Sequence, residues 1–165
     1  MKRKGLILGI VLLVGLAVYV WWDRRSPYDF PAGPVLAYKL DGRRTESASG
    51  KSDLYAWPVL LKRGVDDGMA SKIRTALRNG SNYAWMGGYK CFNPGMAFRF
   101  GEGNLAVDVL ICLECRRVYF LRVSDGEHAR EPLCISDAGL DAFGSLYDAL
   151  FPKSPTTSTT TKSSP

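Results

Sequence analysis

The longest apolar stretch of the chain lies near its start, at residues 5–22, which read GLILGIVLLVGLAVYVWW and contain no charged side chain. At a rise of about 1.5 Å per residue, the stretch forms roughly 27 Å of helix, close to the hydrocarbon thickness of a bilayer. Basic residues precede it, and Tyr19, Trp21 and Trp22 close it, as suits a headgroup interface. The pattern predicts a single-pass signal-anchor, residues 1–25, with a cytoplasmic N-terminus and an extracytoplasmic domain.

Two other interpretations compete with the anchor. A secretory signal peptide has the same basic start, and Gly15-Leu16-Ala17 fits a small-x-small cleavage site. Cleavage there would leave the apolar residues 18–22 exposed at the new N-terminus, which favours an uncleaved anchor. A buried core helix is the second alternative, and the absence of a polar face over eighteen residues argues against it.

Strand-like patterns follow a short proline-containing spacer. Three prolines within residues 26–34 disfavour helix and keep the spacer extended. Alternating or short apolar runs then predict strands at 35–40, 54–62, 96–100, 105–112 and 117–123. Because Pro58 cannot donate to a central ladder, the second of these is a bent strand or a short strand pair.

Apolar residues spaced by three or four predict two helices. The first is capped by Asp66 or Asp67 and runs through Arg78. The last is capped by Ser136 or Asp137, and its apolar stripe is formed by Leu140, Phe143, Leu146, Tyr147 and Leu150.

The order of strands, helix, meander and helix defines the expected fold class. It predicts an α+β domain at residues 35–152, in which two helices pack against one face of a small antiparallel sheet. The end of the chain, residues 153–165, reads KSPTTSTTTKSSP and offers nothing to build a core. We predict that this tail is disordered.

The net charge of +6 is carried by the segments that flank the predicted domain. Seven of the 22 basic residues and one of the 16 acidic residues, Asp23, lie outside residues 26–152, which leaves 22 − 7 = 15 basic and 16 − 1 = 15 acidic side chains inside. A nucleic-acid module carries its positive charge on the folded domain. The neutral domain therefore argues against nucleic acid as a partner.

Four cysteines are the only constellation with candidate chemistry: Cys91, Cys112, Cys115 and Cys134. Outside the cytoplasm they can form two disulfides, with three connectivities open. A zinc site is the second interpretation, since Cys112-x-x-Cys115 on a hairpin can supply two thiolate ligands. A redox dithiol is the third, but strand follows the motif where such sites usually have a helix. Buried free thiols are the fourth.

Other polar or aromatic residues carry weaker signals. His128 is the only histidine and lies in an acidic loop, so we interpret it as a solvated side chain. Asp108 alternates with valines, and we expect it on the solvent face of its strand, with a buried functional carboxylate as the less favoured interpretation. Trp57 and Trp85 are expected in the core. The context of a phosphate loop, strand before and helix after, is missing at Gly87-Gly88 and at Gly101-x-Gly103.

The run from Cys91 to Phe100, followed by residues 107–115, resembles a family of uncharacterised bacterial proteins. Many of these carry a membrane or secretion segment, and their pattern is Cys-Phe-x-Pro, then Arg-His, and later Ile-Cys-Phe-x-Cys. The resemblance spans roughly residues 57–151 and implies no known activity. Where the family has Arg-His, this chain has Gly95-Met96. If that histidine were a metal ligand in relatives, Cys134 would have to replace it here.

These observations favour a non-enzymatic, membrane-anchored extracytoplasmic module that binds or assembles with another component of a bacterial cell envelope. Its partners are the membrane, through residues 5–22, and an envelope protein. The alternative is a thiol oxidoreductase or a metal-binding protein centred on Cys112 and Cys115, with zinc as the cofactor. The pattern assigns no catalytic residue.

Overall fold

The computed structural model describes residues 30–43, 53–84, 87, 91–125 and 132–152. The predicted anchor, Trp85, His128 and the predicted tail lie outside these residues. Within the described ranges, no helix has both the length and the apolar character needed to cross a bilayer.

Strands in the described residues form one antiparallel sheet with the spatial order β2-β3-β1-β5-β6-β7-β8-β4. Their bounds are β1 (Val35–Leu40), β2 (Asp53–Leu54), β3 (Trp57–Gly64), β4 (Tyr83–Ala84), β5 (Met96–Phe100), β6 (Val107–Cys112), β7 (Arg117–Arg122) and β8 (Leu133–Ile135). The predicted segment 54–62 is a strand pair, because Tyr55 and Ala56 form a turn with φ of 51° and 65°. Such a turn, with both central residues left-handed, joins tight hairpins.

Two helices among the described residues match the predicted ones: α1 (Asp67–Arg78) and α2 (Asp137–Leu150). Asp66 caps α1 by accepting a hydrogen bond from the Met69 amide, and Ser136 caps α2 by accepting one from Gly139. These caps satisfy amide groups that the first turn leaves without partners. The expected α+β class, with two helices and an antiparallel sheet, is confirmed.

Both faces of the sheet are covered, but by different elements. The face under α1 and α2 buries the larger apolar cluster, which includes Phe98, Phe100, Val109, Ile111, Ile73, Leu77, Phe143 and Leu150. The opposite face buries a smaller cluster that the β2–β3 hairpin helps to form, and which contains Tyr38, Leu40, Leu54, Trp57, Ala97, Leu110 and Leu121. We call this second surface the hairpin face. The prediction that Trp57 belongs to the core is confirmed.

The strand register gives the sheet two distinct ends. At one end, which we call the entry end, Val35 pairs with Phe100, Phe100 with Val107 and Val107 with Arg122. Phe30, inside the predicted spacer, is buried at this end with its ring centroid 4.5 Å from that of Phe100. At the other end Cys112 pairs with Arg117, and we call it the cysteine end.

Candidate functional site

The C-x-x-C motif forms the turn between β6 and β7, as its position between strand patterns predicted. Cys112 is the last residue of β6, and the amide of Cys115 donates a hydrogen bond to its sulfur at 3.0 Å. Arg116 closes the turn with φ of 53°, in the left-handed region. Its guanidinium forms a 2.7 Å ion pair with Asp137 at the start of α2. Both partners are exposed, so the pair stabilises little.

Cys91 lies beside this turn although it is 24 residues away in sequence. Its Sγ atom is 3.1 Å from Sγ of Cys115. A disulfide bond measures about 2.0 Å, so the sulfurs are close neighbours and both residues are free thiols. Cys91 is exposed and Cys115 is buried, which makes the first the accessible member of the pair.

The environment of these thiols raises their pKa values. For Cys115 the largest cause is burial, followed by the hydrogen bond with Cys112, and the contact with Cys91 lowers the pKa only in part. For Cys91 the largest cause is the hydrogen bond with Cys115. Since the thiolate is the reactive form of cysteine, a raised pKa makes both groups weaker nucleophiles at neutral pH.

Cys134 takes a different position from the other three cysteines. It lies on β8, paired with Ala84 on one side and Arg117 on the other, and its thiol donates to the carbonyl oxygen of Gly87. Across the described part of the chain, no three or more His, Cys, Asp or Glu side chains form a group that could hold a metal ion. The structure therefore brings Cys91, Cys112 and Cys115 together and leaves Cys134 apart.

A cleft of about 530 Å³ opens next to the cysteine turn. Leu113 and Glu114, the two residues between the cysteines, line it together with the loop after β1 and the residues before β5. Its apolar lining includes Met96 and Tyr147, and its polar lining includes Asp41, Arg43 and Asn93. Polar and apolar groups contribute about equally to the lining, so the cleft is more polar than a usual small-molecule pocket and suits a ligand or peptide segment that offers hydrogen bonds.

The expectation for Asp108 was wrong in one respect. The alternation along β6 does place it opposite Val107 and Val109, but its side chain is 0% exposed. Arg99, its direct partner on β5, donates from Nε to Oδ1 and from Nη2 to Oδ2, both at 2.7 Å. The hydroxyl of Tyr55 donates to Oδ2 at 2.8 Å. The β2–β3 hairpin covers this face of the sheet and keeps water away from Asp108, which the strand pattern alone predicted to be exposed.

This buried polar group keeps the nearby phenols protonated. The pKa of Tyr55 is raised well above its ordinary value, mainly by burial and next by its hydrogen bond to Asp108. The pKa of Tyr38 is also raised, again mainly by burial. Arg99 has a raised pKa, mainly because its side chain donates hydrogen bonds to the carboxylate, so the guanidinium stays charged.

Sequence reasoning missed Arg99 and Tyr55. A usable signal was present, because a charged residue interrupts the apolar pattern in each of two consecutive strands, β5 and β6. With a cysteine turn, an adjacent cleft and a buried ion pair, the described residues define a small α+β domain with a candidate binding site at its cysteine end. Comparisons with protein-family models, curated proteins and solved structures return no match.

Proposed function

We propose that the chain is a membrane-anchored, extracytoplasmic, non-enzymatic module that binds an envelope component in the cleft at the cysteine end. The observation that carries this proposal is the position of the Cys91–Cys115 pair. Its two sulfurs lie 3.1 Å apart where the segment before β5 meets the β6–β7 turn, and both segments contribute residues to the cleft.

A disulfide at this position would fix the shape of the cleft. The sulfurs need to approach by about 1 Å to reach bonding distance, which rotation of an exposed side chain such as Cys91 can supply. Closing a loop of this size restricts the unfolded chain and so stabilises the folded state. A rigid cleft loses less conformational entropy when it binds, which favours recognition.

The same geometry argues against thiol catalysis as the main role. A thiol oxidoreductase needs one cysteine with a lowered pKa, usually beside a cation or a helix N-terminus. Cys91 and Cys115 have raised pKa values instead. The arrangement therefore supports a structural role for this pair.

A thiolate site remains the second candidate, and one observation favours it. The Cys115 amide donates to the Cys112 sulfur, so the turn holds the two cysteines of the motif close to each other. With Cys91 alongside, the three sulfurs could take part in disulfide exchange. Zinc would require these side chains to converge further, because the described residues form no group of three possible ligands as they stand. In either case the functional residues would be Cys91, Cys112 and Cys115.

Mapping the thiols of the full-length protein, purified from membranes without reductant, tests these candidates. Free thiols are alkylated, non-reduced peptides are identified by mass, and zinc is measured on the same sample. We expect a Cys91–Cys115 link, alkylated Cys112 and Cys134, and no zinc. Cys134→Ser is the matched control and should leave the link intact. A Cys112–Cys115 link would promote the oxidoreductase, and one zinc ion per chain would promote the metal site.

The location of the domain needs a separate test. A reporter that is active only outside the cytoplasm, fused after Pro165, should be active, and the protein should stay with membranes through a carbonate wash. Replacing residues 5–22 with a polar linker should release it. Activity of a cytoplasm-only reporter at the same junction would overturn the proposed orientation.

A further inference from the structure

The chain enters the domain at a firmly held point. Phe30 is buried against Phe100, and the Arg78 guanidinium lies 5.9 Å from the Phe30 ring centroid. The Arg74 guanidinium donates to the carbonyl oxygens of Pro31 and Gly33, at 3.2 and 3.0 Å. The segment that leads toward the predicted anchor is therefore part of the domain from Phe30 onward.

The distance between this point and the proposed anchor is short. Residues 23–29 separate Trp22 from Phe30, so eight residue steps span at most about 29 Å. The six residues of β1 already cover about 20 Å from the entry end toward the cysteine end. The cysteine end could touch the bilayer only if the spacer ran back alongside the domain over about two thirds of its maximum length. The tether thus favours an entry end that faces the membrane.

An exposed leucine lies at the same end. Leu105, between β5 and β6, is 83% exposed, more than Leu60 at 57% or Leu61 at 47%. Its turn lies against the spacer, since the Gly101 amide donates to the Pro34 carbonyl oxygen at 3.2 Å. A lone apolar side chain on a surface is ordinary, but this one projects from the end that the tether holds near the bilayer.

Charges at the entry end are mixed. Among the described residues, three basic side chains at this end lie beside three acidic ones: Arg74, Arg78 and Arg122, with Asp66, Asp67 and Glu102. Opposite signs offset each other, so these residues form no net basic patch for anionic headgroups. Any contact with the bilayer is therefore apolar, and salt or lipid charge should change it little.

We propose that the entry end rests on the phospholipid headgroup layer with Leu105 inserted into the interface, so that the cleft and the cysteine turn face away from the membrane. This orientation rests on the proposed anchor. It makes the cleft accessible to a partner that is not embedded in the same bilayer.

Photo-crosslinking of the full-length protein in vesicles of zwitterionic phosphatidylcholine tests the orientation. The vesicles carry a lipid with a photoreactive group near the glycerol, and crosslinked peptides are identified by mass. We expect crosslinks on the peptide that contains Leu105 and none on the one that contains Glu114. Leu105→Ser should lower the yield roughly tenfold, because serine gains nothing from leaving water. Leu60→Ser is the matched control and should leave the yield unchanged.

Three outcomes would contradict the proposal. Equal labelling of the Glu114 peptide would show that the cysteine end reaches the bilayer. Loss of the Leu105 crosslink at about 1 M salt, where the Debye length falls to about 3 Å, would show an electrostatic contact instead. Protein that survives a carbonate wash but gives no Leu105 crosslink would overturn the orientation alone, whereas protein released by the wash would overturn the anchor as well.

Discussion

Replacing Arg99 with methionine tests the role of the buried ion pair on the hairpin face. Asp108 accepts two hydrogen bonds from Arg99 and one from Tyr55, and its carboxylate has no contact with solvent. Methionine fills similar volume but donates nothing, so the carboxylate would keep a single hydrogen bond. Removing one partner of a buried pair costs about 3–5 kcal/mol.

The partial exposure of Arg99 places the expected loss of stability at the lower end of that range. Its side chain is 31% exposed, so water can approach the vacated position and partly solvate the carboxylate. We therefore expect Arg99→Met to lower the free energy of unfolding by about 3 kcal/mol. Tyr55→Phe removes one hydrogen bond to a charged group and should cost less, about 1.5–2 kcal/mol. For a domain with a total stability of 5–15 kcal/mol, both losses are large.

Urea unfolding of residues 26–152, followed by circular dichroism, measures these losses. The double variant Arg99→Met, Asp108→Leu removes both members of the pair. It therefore shows whether Arg99→Met destabilises by losing the ion-pair attraction or by leaving the Asp108 carboxylate buried without a partner. It should recover much of the stability that Arg99→Met loses, since no charge is left buried and only the Tyr55 hydroxyl loses its acceptor. A loss below about 1 kcal/mol for Arg99→Met would refute the reasoning, because that is the range of an exposed surface pair.

Three further predictions follow from close contacts and pKa shifts. Gly139→Ala should lower the free energy of unfolding by about 3 kcal/mol in a melting experiment, because a β-carbon there would collide with the backbone oxygen of Asn82. Gly144 lies in the same helix and has nothing within 4 Å of where its β-carbon would be, so Gly144→Ala should stabilise the domain by about 0.5–1 kcal/mol. Cys91→Ser should lower the Tm of the non-reduced protein by roughly 10 °C and leave that of the reduced protein unchanged; equal shifts in both would exclude the proposed disulfide. The raised pKa of Tyr55 keeps its phenol protonated in the folded state, so the free energy of unfolding should hold up to about pH 10, where the unfolded tyrosine ionises, and fall above it. Tyr55→Phe should flatten this alkaline decline, and an unchanged slope would contradict the raised pKa of Tyr55.

The elements with a clear period were predictable from the sequence. In β1, β5 and both helices, apolar residues recur at the spacing that a strand or a helix requires. Their observed bounds agree with the predicted ones to within one or two residues. β6 begins at Val107, two residues after the predicted start, because Gly103–Leu105 forms a 3₁₀ turn that continues the apolar run. β4 and β8 were not predicted, since strands of two or three residues are too short to show a period.

Of the contacts in the site, only that of Cys91 with the β6–β7 turn could be predicted from the sequence, because it follows from the pairing of two consecutive strands. Cys91 precedes β5, and the pairing of β5 with β6 brings it near the β6–β7 turn, as antiparallel order suggests. The burial of Asp108 depends instead on Tyr55, which reaches it from 53 residues away. No local pattern reports a contact over that separation, because burial is set by whatever packs above the strand.

The strand order also constrains when the sheet can be completed as the chain is made. β1 lies between β3 and β5, but β5 begins 56 residues after β1 ends, since 96 − 40 = 56. A chain that emerges N-terminus first can pair β1 with β3 early, while the second edge of β1 waits for the later segment. The meander of β5, β6 and β7 needs only short-range contacts and can form quickly. The unpaired backbone edge of β1 is therefore the surface that a folding chaperone would have to protect during synthesis.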